Sequence, residues 1–269
     1  MDTVLTPPVA TTFEAFAAVV STALYLTVGI AALVHAPRDI RARVFFATAL
    51  ASAAPYLVTA LIWARGSAAT FTVPVIAVVA LSLMMGSLAL FHFTQVFPWR
   101  RPWIRVHAKW LFAGYVTVPI AVGVASWMFR DLGVMVTGSD GLGAVSADVA
   151  EGLALVLLLV VIPVVFVLGA AVPFAALLSL YKSWLAARAA GVESARVTTF
   201  TILISQMAGG VLTILIIPLL RLVAPTGPWV TIAAVLLFGF GLLMPLAFAA
   251  GVWKYGVLEL DPENAPARI

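Results

Sequence analysis

Seven long apolar runs dominate this chain, and they leave few folds open to it. They cover residues 12–35, 42–64, 72–97, 106–128, 149–181, 197–223 and 229–253. A helix crossing the hydrocarbon core of a bilayer needs about 20 apolar residues, because the core is about 30 Å thick and the helix rises about 1.5 Å per residue. Each run meets that length. Inside lipid every backbone amide must be bonded within the protein, which leaves helices or a closed barrel, and these runs lack the period-two alternation of barrel strands. The expected fold is all-α: a polytopic membrane protein built as a seven-transmembrane-helix bundle.

Composition agrees. With 64% apolar residues, 10% charged residues and a mean hydropathy of +1.14, the chain has too little polar surface to coat a soluble globule. It has no cysteine, which removes disulfides, thiolate metal sites and a cysteine nucleophile. The net charge of +4 is read as orientation in the membrane, not as nucleic-acid binding.

Short cytoplasmic loops retain Lys and Arg. An external amino terminus places twelve of the basic residues inside: Arg38, Arg41, Arg43, Arg100, Arg101, Arg105, Lys109, Lys182, Arg188, Arg196, Lys254 and Arg268. Only Arg65, Arg130 and Arg221 then fall outside. The carboxyl terminus is therefore expected in the cytoplasm and the protein in the bacterial inner membrane. Residues 1–256 form the expected bundle, and 257–269 a short cytoplasmic tail. The acidic, proline-bearing start lacks the basic n-region of a cleaved signal peptide, so the first run is read as a retained helix. The Gly-rich stretch 130–147 is the longest external loop. The fifth helix is expected to run past the bilayer, stop at Gly191 in a left-handed conformation and turn back, making a cytoplasmic hairpin over 181–196.

Polar residues inside the spans are the candidates for function. Gln206 sits at mid-depth beside Ser205, one turn before Gly209 and Gly210. Its amide needs a partner, such as Tyr56, Ser82 or Tyr115 across a helix interface, or it forms the floor of a pocket for an apolar ligand walled by Tyr56, Tyr115, Met84 and Met85. Glu14 and Glu151 each follow a Thr or Asp by three residues, the spacing of a capped helix start, with a ligand cation or an ion pair to Arg221 as the alternative. His35, His92 and His107 fall toward the inner face without metal-ligand spacing. Pro55, Pro119, Pro163, Pro173, Pro218 and Pro245 interrupt spans, and Gly239, Gly241 and Pro245 make the last one look discontinuous. At the inner face, Arg100, Arg101, Trp103 and Arg105 are placed to contact anionic headgroups or an acidic partner, or simply to anchor the bundle.

Several chemistries are excluded. No lysine lies mid-helix in the last span for a retinal Schiff base, since Lys254 follows Trp253 at its inner end. HExxH, GxSxG, P-loop and dinucleotide-binding patterns are absent. The chain is expected to be no enzyme and to carry no cofactor and no metal.

Two segments carry a resemblance. Phe91-His92-Phe93 through Phe97-Pro98-Trp99-Arg100-Arg101-Pro102, and Lys254-Tyr255-Gly256-Val257-Leu258-Glu259-Leu260-Asp261, resemble the inner end of the third helix and the exit from the last helix in the amino-terminal seven-helix region of some bacterial sensor histidine kinases. The resemblance implies a membrane sensing or docking module. Only 262–269 follow Asp261, so kinase domains are not expected here and output would come from a partner polypeptide. The leading expectation is a non-catalytic sensor or receptor-like module that takes an apolar small molecule or signal and communicates with a cytoplasmic or membrane protein partner. The rivals are a structural accessory subunit of a larger membrane complex and a carrier of a lipophilic substrate.

Overall fold

The computed structural model describes residues 9–64, 73–137, 171–223 and 228–260. Among them the chain is helical and contains no strand. The rods are α1 (Val9–His35), α2 (Ile40–Ala64), α3 (Val73–Val96), α4 (Pro102–Thr137), α5 (Val172–Ala189), α6 (Glu193–Val211) and α8 (Pro228–Trp253). α6 continues through a π-helical segment (Leu212–Ile216) into the short α7 (Ile217–Val223), and a 3-10 turn (Val257–Glu259) follows α8. Glu151 and Arg65 lie outside the described residues, as does the expected loop beyond Thr137; the side chains of Glu14, Arg130 and Arg221 do as well. α4 reaches Thr137, so the first part of the expected 130–147 loop is helix.

Neighbouring rods form a ring in the order α1, α2, α3, α5, α6, α8 and back to α1, while α4 packs outside it against α3. Two helices, Ala15–His35 and Val235–Trp253, are long and apolar enough to cross a membrane, and Ala80–Val96 is a shorter apolar segment. They bury one side and turn large apolar side chains such as Phe16, Val34 and Leu246 outward.

The turns are set by local chemistry. Pro98 cannot continue α3, and Pro102 opens α4 where a missing N–H costs nothing. Gly191 adopts φ +70° at the end of the α5 hairpin, a conformation that side-chain-bearing residues resist. Gly251 lets α8 lie against α6, since a Cβ there would sit 2.8 Å from the Thr198 side chain. The core at the same end is aromatic: Phe45 and Phe248 stack with centroids 3.7 Å apart, and Phe93 and Phe97 stack at 4.8 Å beside them.

α8 corrects the expected discontinuity, because it is helical throughout from Pro228 to Trp253. Pro245 offers no N–H to the carbonyl four residues earlier, that of Gly241. The Tyr25 hydroxyl of α1 donates to that Gly241 oxygen at 2.9 Å, supplying the bond the proline removed. The neighbouring Phe240 carbonyl accepts from Ser205 Oγ of α6 at 2.6 Å. Side chains from both flanking helices thus bond the α8 backbone at the turn where a proline can kink a helix, the usual way an apolar environment tolerates proline.

Tyr25→Phe is expected to destabilise the bundle by about 1–3 kcal/mol by orphaning a buried carbonyl, and Pro245→Ala in the same chain should recover most of the loss. Unfolding of the single and double variants in a lipid-like medium measures this. Equal losses with and without Pro245 would show that Tyr25 matters through packing alone.

Candidate functional site

Four stretches far apart in sequence meet at one end of the bundle: the α1–α2 turn, the α3–α4 turn, the α5–α6 turn and the segment after α8. Arg41, in the first turn of α2, joins three of them although it is only 1% exposed. Its Nε contacts both Asp39 carboxylate oxygens at 3.1 Å, and Nη2 reaches Asp39 Oδ2 at 2.7 Å. The remaining hydrogens go to backbone: Nη1 donates to the carbonyls of Pro98 (3.1 Å) and Val257 (3.0 Å), and Nη2 to that of Leu258 (2.6 Å). A guanidinium has five N–H donors in a planar fork, and here all five are used. Asp39 also accepts the Arg41 backbone N–H at 2.7 Å, capping the start of α2.

The charge is thereby neutralised where it is buried, and the three freed carbonyls are satisfied. Around this clasp, Val257 is fully buried, Gly256 supplies φ +61°, and Leu258 and Leu260 pack on the core. The segment after residue 256 is therefore part of the bundle up to Leu260 and not a free tail. Trp99 fills the space between that segment and the α5–α6 turn, packed with Ala187, Ala195, Val192 and Leu260.

A second polar cluster ties α3 to α5. Gln95 Nε2 donates to Ser179 Oγ at 3.0 Å and Ser179 Oγ donates to the Thr94 carbonyl at 3.2 Å. Arg101 Nη2 donates to the Ser179 carbonyl (2.6 Å) and to Ser183 Oγ (2.9 Å). Burial pushes the Arg101 guanidinium below its ordinary value. The side chain expected to reach outward thus turns inward and holds α5. Trp103 stays at the surface, stacked on His107 at 4.8 Å and edge-on to Phe91 at 5.4 Å. Arg105 is exposed and Arg100 half-buried.

The expected ligand-site residues fall in separate places. Gln206 Nε2 lies 3.1 Å from Met244 Sδ, so its partner is α8 and not Tyr56, Ser82 or Tyr115. Tyr56 stacks on Tyr25, centroids 6.5 Å apart, with its hydroxyl near Gly241. Gln206 and Tyr56 therefore both border the α8 kink. Ser82 instead bonds the Val78 carbonyl of its own helix at 2.7 Å, a short polar side chain satisfying itself locally. Tyr115 faces His92, hydroxyl to Nδ1 3.3 Å, between α3 and α4. Met85 is half-buried on α3. The histidines do not converge: His35 faces Trp253, and His107 Nδ1 contacts its own helix at the Trp103 carbonyl. Among the described residues no three His, Asp or Glu side chains gather as metal ligands.

Sequence reasoning counted Arg41 as one surface cation among many and passed over Asp39, Tyr25, Gln95 and Ser179. One signal was available: an acidic residue two positions before Arg41 at a helix start can both cap and pair. The chain matches no protein-family model, no curated protein and no solved structure.

Arg41→Lys is expected to lower stability by about 3–5 kcal/mol, because an ammonium has three donors and no fork, and the Asp39 charge and the carbonyls stay buried. Denaturant unfolding followed by aromatic circular dichroism reads the loss. A lysine variant as stable as the parent would show the clasp to be dispensable.

Proposed function

We propose that this chain is a bacterial inner-membrane protein that crosses the bilayer seven times, amino terminus outside and carboxyl terminus inside. In this reading it is a sensing module without catalytic chemistry of its own, and it passes the state of its bundle to a partner protein through the segment that leaves α8. The observation that carries the reading is the Arg41 clasp, which binds that exit segment to the α1–α2 and α3–α4 turns.

Three features support it. The apolar helices and their outward side chains suit lipid. The basic residues of the inner loops collect at the clasp end, as a cytoplasmic face requires. The two segments that resemble the sensor-kinase membrane region meet at one guanidinium, which makes them a single physical unit.

The input lies at the α8 kink, where Tyr25, Tyr56, Ser205 and Gln206 border Phe240 to Met244. An apolar molecule or a change in bundle packing that shifts the kink moves the rigid stretch from Pro245 to Trp253, and with it the carbonyls held by Arg41. Arg100, Trp103 and Arg105 surround the exit as contacts for headgroups or the partner. A structural subunit is the second reading, favoured by α4: Val106, Trp110, Phe112 and Ile120 stand outward along it, a face fit for lateral packing.

The cysteine-free sequence permits a single-cysteine test. A membrane-impermeant maleimide is expected to label Ser67→Cys and Ser139→Cys from outside, and Arg38→Cys and Glu193→Cys only from inside. Val257→Cys should stay protected from both sides and become reactive when Tyr56→Ala or Gln206→Leu is added. Protection unchanged by those kink variants would remove the relay and leave a static subunit.

A further inference from the structure

α1 and α8 close the ring, but not tightly along their inner halves. A shallow, open groove of about 560 Å³ lies along one face of α1, lined by Thr27, Ile30, Ala31, Val34 and His35, and is closed at its inner end by Trp253 of α8. The groove lies on Ala15–His35 and ends against Trp253 of Val235–Trp253, the two helices among the described residues long and apolar enough to cross a membrane. At the inner end the apolar walls give way to rings, His35 and Trp253 with centroids 6.4 Å apart.

Cations stand immediately past those rings. Arg38, three residues beyond His35, is exposed and makes no hydrogen bond or ion pair among the described residues. Lys254 follows Trp253, is exposed, and holds its Nζ 5.2 Å over the Tyr255 ring. The carboxylate nearest in sequence to Arg38, Asp39, is taken by Arg41, while that of Glu259 lies against Gly256, two residues from Lys254. An apolar trough open to the side, an aromatic step and then exposed basic side chains follow the profile of one leaflet of a bilayer, read from acyl chain to phosphate.

We propose that the α1–α8 groove is a binding site for an anionic phospholipid of the inner leaflet, one acyl chain lying along Ile30, Ala31 and Val34 and the phosphate facing Arg38 and Lys254. The proposal rests on the membrane reading above and adds a ligand class to it. It differs from general lipid contact in requiring the headgroup charge. Because His35 and Trp253 end the helices on either side of the Arg41 clasp, a lipid seated there would hold α1 and α8 together next to the exit segment.

The test uses the full chain in phosphatidylcholine vesicles containing a minor share of brominated lipid, whose bromines quench nearby tryptophan. The Trp253 signal is the difference between parent and Trp253→Phe. Brominated phosphatidylglycerol is expected to quench it well below the concentration at which brominated phosphatidylcholine does, and each basic side chain should account for about fivefold of the preference. Arg38→Ser with Lys254→Ser, both exposed positions, should abolish the preference but not the quenching, and Ala31→Phe should reduce quenching by both lipids. Equal quenching by the two headgroups in the parent protein would overturn the site and leave the membrane reading standing. Quenching of no tryptophan by either lipid would overturn the membrane reading itself.

Discussion

A buried guanidinium in an apolar bundle is costly unless every donor is used and its charge is matched. Arg41 meets both conditions: one carboxylate two residues away and three carbonyls drawn from turns 57 to 217 residues distant. The rest of this end of the bundle follows from that arrangement. Pro98 presents its carbonyl because the chain must leave α3 there, and Gly256 allows the reversal that brings Val257 and Leu258 within reach. The stacked Phe45, Phe93, Phe97 and Phe248 fill the space just beneath, excluding water from the clasp and raising the strength of its hydrogen bonds.

The same economy governs the middle of the bundle. Several polar side chains there are committed to backbone or to one another: Tyr25 and Ser205 to α8 carbonyls, Gln95 and Ser179 to α3 and α5, Ser82 to its own helix. A hydroxyl left without a partner in such surroundings costs more than its net bond is worth, so each hydrogen bond fixes a neighbour. Pro245 turns this constraint into a contact, because the acceptor it frees is bonded by Tyr25 of α1. The chain is thus held at Gly241 within α8 and again at Val257 and Leu258 just after it. This is the physical basis for treating α8 as the element that connects a change in the bundle to the exit segment.

The helical bundle was legible in the sequence because length and hydropathy report it directly, residue by residue. Gly191 was legible too, since a glycine after a helix ending in basic residues has few other uses. Arg41 was not, for a plain reason: an arginine near a helix start looks the same whether it snorkels to water or inserts. What distinguishes the two is the position of carbonyls at Pro98, Val257 and Leu258, which no local pattern encodes. Arg101 misled in the same way, its neighbours Arg100 and Trp103 suggesting a surface patch while Ser179 and Ser183 drew it inward. The Gln206 amide in an apolar span needs a partner, but Met244 was not among the partners considered, because a thioether is a weak acceptor and escapes a search for polar pairs. Tyr25 could have been found by asking which donor replaces the N–H missing at Pro245.

If Arg41 is the joint on which its end of the bundle depends, the elements that it joins must open together. Amide hydrogen exchange of the protein in lipid nanodiscs, read by mass spectrometry for peptides covering 36–44, 93–101 and 253–260, measures that coupling. The account predicts slow exchange in all three and a common acceleration in Arg41→Lys, with the amides near the α8 kink less affected. Faster exchange confined to 36–44, with the other two peptides unchanged, would contradict it.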